Sequence, residues 1–212
     1  MKSKAGIVCI ILGVVLLLGA LLLSLHNMRQ ETAAQESLLG IVPQLVEEIQ
    51  KNTAEEPNAE ADELIPELEL QIPVELLTDE DKKMTEIEID GHAYIGYLSL
   101  PKLELDLPIM SSWSYPKLKI APCRYKGSIR GEDLVIMAHN FYNHFGRISQ
   151  LEVGDRVTFT DMDGGVTEYV VVGMDILEPT AVEVVTAGDF DLILFTCTYG
   201  GGSRVTVYCD RV

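Results

Sequence analysis

Basic residues are scarce in this sequence. Its 212 residues include 16 Lys and Arg against 33 Asp and Glu, a formal net charge of -17. Because such an excess of negative charge repels a phosphate backbone, the composition argues against a nucleic-acid-binding protein. Cysteine is scarce too: four cysteines are too few for a disulfide framework, and the composition shows no low-complexity bias.

Long apolar runs are absent with one exception, residues 5–25, which hold no charged side chain. A helix of this length spans about 31 Å, close to the thickness of a bilayer core. A cleaved signal peptide is the alternative, but residues 21–27 offer no clear cleavage site. The sequence therefore predicts a membrane anchor. Lys2 and Lys4 precede it, which favours a cytoplasmic N-terminus and an extracellular remainder.

The acidic excess is concentrated just after the anchor, since residues 31–90 hold 18 acidic and three basic side chains. Apolar residues at helical spacing predict a partly helical stalk over 31–52, with a break at Pro43. Residues 53–81 are acidic and rich in proline, as in an extended linker. Alternating apolar residues in 64–77 allow the further hypothesis that this segment covers the functional site.

Short β-rich segments begin at about residue 85. Asp90-Gly91 separates two of them and is a typical hairpin turn, and residues 161–165 separate another pair. Many short strands with few helices indicate an all-β barrel or sandwich. The predicted organisation is a cytoplasmic end at 1–4, an anchor at 5–25, a stalk and linker at 26–84, and a catalytic domain at 85–212.

Three reactive side chains lie where predicted strands end or begin. The apolar run Leu134 to Ala138 stops at His139, and another apolar run leads directly into Cys197. Arg204 opens the next strand after a glycine-rich turn, although Arg211 further along is an alternative. A thiol, an imidazole and a guanidinium at strand ends are the components of a cysteine acyl-transfer site.

With these residues in order, the chain resembles the sortases, the membrane-anchored cysteine transpeptidases of Gram-positive bacteria. The resemblance implies a closed, mostly antiparallel β-barrel with short helices. Ala138 and Ile193 depart from common family residues and leave the subclass open. The end of the chain at Val212, without a second span, argues against the pilus-polymerising type. The matching segments are 95–98, 100–102, 107–109, 125–128, 135–140, Leu151 with 154–155, 194–198 and Arg204.

The resemblance also implies a reaction and its partners. Cys197 would form a thioester with the sorting motif of a secreted protein, His139 would transfer protons, and Arg204 would stabilise the oxyanion. An amine of a cell-wall precursor or a pilin would be the acceptor, at the outer face of the cell membrane. No cofactor is expected. A membrane-anchored cysteine peptidase and a non-catalytic β-barrel binding module are the alternatives.

The remaining cysteines and histidines allow further hypotheses. Cys123 and Cys209 are expected to be free thiols, with a disulfide between them as the alternative. A Cys197–Cys209 disulfide that blocks the site is also conceivable. His144 lies five residues after His139, but this spacing places the two on different faces and no ligand cluster completes a set, so no metal site is predicted.

Overall fold

The computed structural model describes residues 4–54, residue 78 and residues 82–212. The segment 64–77, which was considered as a cover for the site, lies outside these residues. The described residues form three α-helices and nine strands, together with short 3-10 turns at 101–103 and 148–150. The helices are α1 (Lys4–Ala54), α2 (Tyr115–Leu118) and α3 (Val182–Thr186), and the strands are β1 (Ile87–Ile89), β2 (His92–Leu100), β3 (Leu105–Met110), β4 (Cys123–Lys126), β5 (Leu134–Ala138), β6 (Arg156–Asp161), β7 (Val166–Leu177), β8 (Leu192–Cys197) and β9 (Arg204–Arg211).

Strands β2 to β9 close into a barrel. Their order is β2-β3-β4-β5-β8-β9-β7-β6, and pairing of β6 with β2 completes the ring. Only the β3–β4 and β5–β8 pairs are parallel. The prediction of a closed, mostly antiparallel barrel with short helices is confirmed, and closure leaves no unpaired sheet edge within the ring.

Both predicted hairpins form, because their turn residues have the required chemistry. Asp90 and Gly91 both have positive φ angles, 51° and 75°, as a type I′ turn demands. In the β6–β7 hairpin, the Asp161 carboxylate accepts hydrogen bonds from the backbone N–H groups of Asp163 and Gly165 at 3.0 and 2.7 Å. The side chain thus holds the turn closed from within.

Alternation along β5 and β8 produces two apolar layers. Leu134, Ile136, Leu192 and Leu194 point into the barrel and belong to its main core. The intervening residues point outward and form a second, smaller cluster on the barrel wall, beneath α3. The members of this outer cluster are Val135, Val185, Ile193, Phe195 and Tyr208, with Met137, Tyr125, Leu177 and Phe190 at its margin.

Helix α1 is longer than the sequence predicts. Its apolar first part is fully exposed and long enough to cross a membrane. The expected break at Pro43 is wrong, since the helix continues through this residue to Ala54. Proline removes the backbone donor that would bind the Leu39 carbonyl, and Leu39 and Pro43 are both exposed, so this carbonyl is accessible to solvent. The rest of the helix packs on the barrel through Ala34, Leu38, Ile41, Leu45 and Ile49.

Candidate active site

Strand pairing brings the three predicted residues to one end of the sheet. Strands β5 and β8 run parallel with Ala138 beside Thr196, so His139 follows β5 at the level where Cys197 ends β8. Strand β9 is antiparallel to β8 and places Arg204 directly opposite Cys197. Directly opposed residues have Cβ atoms about 5 Å apart and project from the same face. Cys197, His139 and Arg204 all line one cavity of about 200 Å³.

This cavity lies on the outer wall of the barrel, because Cys197 continues the outward-facing series of Ile193 and Phe195. Cys197 is partly exposed, so its thiol is accessible from the cavity. Thr196 points the other way and is 3% exposed. Its hydroxyl donates a hydrogen bond of 2.8 Å to the carbonyl oxygen of Ala138. This bond joins the ends of β8 and β5 and thereby holds the positions after them in register.

The imidazole of His139 is half-buried and stacks on Phe141, with 4.8 Å between the ring centroids. Burial, and to a lesser extent the positive charge of Lys119, lower the pKa of His139 below its ordinary value. Burial has this effect because it disfavours the charged imidazolium. A neutral imidazole at physiological pH is able to accept a proton and return it to a leaving group.

The guanidinium of Arg204 is held by backbone oxygens of the preceding turn. It donates to the carbonyls of Gly201 and Ser203 at 3.2 and 3.1 Å. Within the part of the chain that the structure describes, no carboxylate forms an ion pair with it. Its charge is therefore available to an anion or a carbonyl oxygen in the cavity.

The alternative arginine is at the wrong end of β9. Arg211 donates to the Ile129 carbonyl at 2.9 Å and pairs with Glu132 at 3.2 Å. Its backbone N–H binds the Asp191 carboxylate, next to the start of β8. The geometry therefore favours Arg204 as the partner of Cys197.

The cavity wall is aromatic, which the sequence did not reveal. Trp113 lies 5.8 Å from Tyr125, and Tyr125 makes an edge-to-face contact with Phe195 at 5.5 Å. Trp113 precedes α2, and Tyr125 is on β4, far from the Cys197 segment in sequence. An apolar wall beside a nucleophile suits an apolar side chain of an extended peptide. One feature of the sequence pointed to this wall: Phe195 lies two positions before Cys197, so the two side chains share a face of the strand.

All four cysteines are free thiols, and Cys123 and Cys209 are buried. Cys209 pairs with Leu192, five positions along β8 from Cys197, a separation of about 17 Å along the strand. It also faces the barrel core. A disulfide between Cys197 and Cys209 is therefore incompatible with this fold. Burial raises the pKa of Cys123 and of Cys209 to about 12, so both are poor nucleophiles.

His144 is fully buried, and both ring nitrogens lack a hydrogen-bond partner among the described residues. Burial, reinforced by the nearby His139, lowers its pKa to about 4. Its ring centroid lies 5.4 Å from that of Phe141, the same ring that stacks on His139. Within residues 4–54, 78 and 82–212, no three His, Cys, Asp or Glu side chains are grouped closely enough to hold a metal ion.

A closed barrel with cysteine, histidine and arginine at adjoining strand ends is the arrangement that the resemblance to the sortases implies. The Sortase domain family matches residues 98–212, more than half of the chain, and the protein therefore belongs to the sortase family. A comparison with curated proteins found no match.

Solved structures support the fold. Sortase A from Corynebacterium diphtheriae aligns with a TM-score of 0.53 and 20% identity over 57% of this chain and 61% of that chain. Sortase C1 from Streptococcus suis aligns with a TM-score of 0.50 and 24% identity, over 57% of this chain and 74% of that chain. A sortase D5 transpeptidase from Clostridium perfringens aligns with a TM-score of 0.52 and 19% identity, over 65% of this chain and 90% of that chain. The alignment thus spans about three fifths of the corynebacterial protein, and identities this low concern the fold alone.

Proposed function

We propose that the protein is a membrane-anchored cysteine transpeptidase with Cys197, His139 and Arg204 as its catalytic residues. The observation that carries the proposal is their position on one outer face, at the adjoining ends of β5, β8 and β9 and around one cavity. Membership of the sortase family supports the same reaction class.

In the proposed reaction, His139 accepts the proton of the Cys197 thiol, and the resulting thiolate attacks a peptide carbonyl carbon in the sorting motif of a secreted protein. The carbon–nitrogen bond breaks, and His139 donates a proton to the departing amine. An acceptor amine then attacks the thioester carbonyl, transfers a proton to His139 and releases the thiolate. Arg204 stabilises the negative charge on the carbonyl oxygen in both steps. Water in place of the amine would give a slow peptidase side reaction.

The proposed location follows from α1. Residues 5–25 would cross the cell membrane with residues 1–4 in the cytoplasm and the catalytic domain, residues 85–212, outside. Residues 26–84 would connect the two, with the docked part of α1 lying against the barrel. Secreted proteins bearing a sorting signal, and an amine of a cell-wall precursor or pilin, are the proposed partners.

The proposed reaction is tested with the full-length protein in detergent. It is incubated with a library of sorting-type peptides and triglycine, and products are identified by mass spectrometry. We expect amine-dependent ligation that Cys197→Ala abolishes. His139→Ala should lower the rate by about 10²–10⁴-fold and Arg204→Ala by about 10²–10³-fold.

Arg211→Ala is the matched control, because it removes an arginine from the same strand at the end remote from the cavity. It should retain ligation. Cleavage that is indifferent to triglycine would favour the peptidase. Full biological function after Cys197→Ala would favour the binding module.

A further inference from the structure

A continuous helix connects the apolar anchor to the barrel. No glycine or proline occurs between Leu25 and Glu31, so the usual causes of a helix kink are missing there. Local hydrogen bonds also show regular helix: Gln30 and His26 are joined at 2.8 Å, and Thr32 donates to the Met28 carbonyl at 2.9 Å. The end of the anchor and the docked part of α1 therefore form one rigid rod.

The part of the rod that follows the apolar anchor is attached to the barrel along most of its length. Five side chains spaced along one face of α1 are at most 8% exposed, from Ala34 to Ile49. At the far end, Asn52 donates to the Met162 carbonyl at 3.0 Å, and a Cβ on Gly164 would lie only 2.6 Å from the Thr53 side chain. This packing fixes both the position of the barrel along the helix axis and its rotation about that axis.

The near end of the rod contacts the loop that carries His139. The Glu31 carboxylate accepts a hydrogen bond of 2.6 Å from the backbone N–H of Tyr142. The loop is itself closed, since the Phe145 N–H donates to the His139 carbonyl at 3.2 Å. Arg147 then ties it to the barrel through a 2.8 Å bond to the Leu103 carbonyl. Glu31 therefore fixes the His139 loop, and not a remote part of the barrel.

Glu31 is six residues beyond Leu25, which corresponds to about 9 Å along the helix axis. The lipid headgroup layer extends about 5–8 Å from the hydrocarbon core on each side, so Glu31 and the loop bound to it lie just at its outer boundary. The loop surface has the chemistry of such a layer: the Tyr142 side chain is 60% exposed, and the Arg147 guanidinium lies 4.4 Å from the centre of its ring. Tyrosine rings are enriched at the membrane interface, and arginine pairs well with lipid phosphates.

We propose that α1 is a rigid mount which holds the His139 loop at the lipid headgroups, with Tyr142 and Arg147 as the contact surface. The site would then act on peptide segments that are held close to the bilayer, and would use the same segment poorly when a membrane-held substrate presents it at a greater height. This substrate preference rests on the proposed transpeptidase function, whereas the height of the loop does not.

The height is measured without any reaction. The full-length protein, with Cys9→Ala and Cys197→Ala, receives a thiol-reactive fluorophore at Tyr142→Cys or, as the matched control, at Val166→Cys. Val166 is 63% exposed and opens β7 beside the far end of the rod. Asn52 lies 21 residues beyond Glu31, about 31 Å further from the membrane.

Both labelled proteins are placed in vesicles of phosphatidylcholine and phosphatidylglycerol that carry a headgroup quencher. Strong quenching at position 142 and little at position 166 is expected. Equal quenching at the two positions would overturn the proposal, because it would mean that the barrel does not stand upright along the rod.

The consequence for substrates is tested by lengthening the rod. Seven helix-forming residues inserted between Asn27 and Met28 raise the barrel by about 10 Å with a rotation of only about 20°. The same seven residues inserted after Ala54 are the control, because they follow the docked part of α1. The substrate is the best peptide of the library, either free in solution or attached to a lipid through a short flank.

After the first insertion we expect at least a tenfold loss of ligation with the lipid-attached peptide and no change with the free peptide. The control insertion should change neither. Equal rates on the lipid-attached peptide before and after the first insertion would overturn the substrate preference. If the unmodified protein ligates neither peptide, the proposed reaction fails, and the quenching experiment still decides the height.

Discussion

At the scale of single residues, the cation of Lys119 affects the proton chemistry of His139. It lowers the pKa of His139, in addition to the larger effect of burial. In the proposed mechanism, kcat/KM rises with pH as His139 loses its proton. Lys119→Gln should therefore raise the pKa of His139 and shift the acidic limb of the pH–rate profile to higher pH. The shift should shrink at high salt, because Lys119 is exposed.

Lys117→Gln is the matched control, because it removes the same charge two residues before Lys119, within α2. Lys117 donates to Ser112 at 2.6 Å, and no effect of it on the His139 pKa is found. The acidic limb of the pH–rate profile of Lys117→Gln should stay at the same pH as in the unmodified protein. An equal shift in both variants would mean that total charge, and not the position of Lys119, controls the profile.

The sequence predicted which residues meet at the cavity, but it did not predict the side chains around them. Cys197 and His139 were found because each ends an apolar run, and the pairing of β5 with β8 places them side by side. Their catalytic roles stay predictions. Trp113, Tyr125 and Lys119 were missed, because they reach the site only through pairing between strands, which no local sequence pattern encodes. Residues distant along the chain meet there through pairing of β4 with β5.

At the scale of elements, the docked part of α1 contributes to the stability of the barrel. Leu45 is fully buried, whereas Leu39 on the other side of the helix is 70% exposed. Leu45→Ala should lower the free energy of unfolding by about 2–4 kcal/mol through lost packing and a residual cavity. Denaturant unfolding of the full-length protein measures this change.

Leu39→Ala is the matched variant, since it makes the same chemical change on the same helix. It should alter the free energy of unfolding by less than about 0.5 kcal/mol. Hydrogen exchange in residues 34–53 should also become faster in the Leu45 variant alone. Equal effects of the two substitutions would contradict docking of this face.

The elements that the sequence predicted best are those with their own turn chemistry. The Asp90-Gly91 hairpin and the hairpin at 161–165 formed as predicted, because positive φ angles and a side-chain cap specify each turn locally. The continuation of α1 through Pro43 was not predicted. Helix propensity disfavours proline there, and the burial of Leu38 and Leu45 on either side outweighs that cost.

At the scale of the whole molecule, one buried imidazole links the stability of the barrel to pH. His144 is completely buried and neutral in the fold, and burial lowers its pKa to about 4. The unfolded chain binds the same proton at the ordinary histidine pKa of about 6.5. Between these values the unfolded state holds more protons, so the free energy of unfolding falls as pH decreases from about 6.5 to about 4. The loss from this group amounts to about 3 kcal/mol.

His144→Phe should remove this part of the pH dependence, because phenylalanine fills a similar volume and binds no proton. The free energy of unfolding is measured by denaturant titration from pH 7 to pH 4 in both proteins. The variant should match the unmodified protein at pH 7 and exceed its stability at pH 4. The His92→Gln variant, which alters a partly exposed histidine at the start of β2, should keep the original slope. Parallel pH profiles in the unmodified protein and His144→Phe would assign the acid sensitivity to carboxylates, and not to the buried imidazole of the His139 loop.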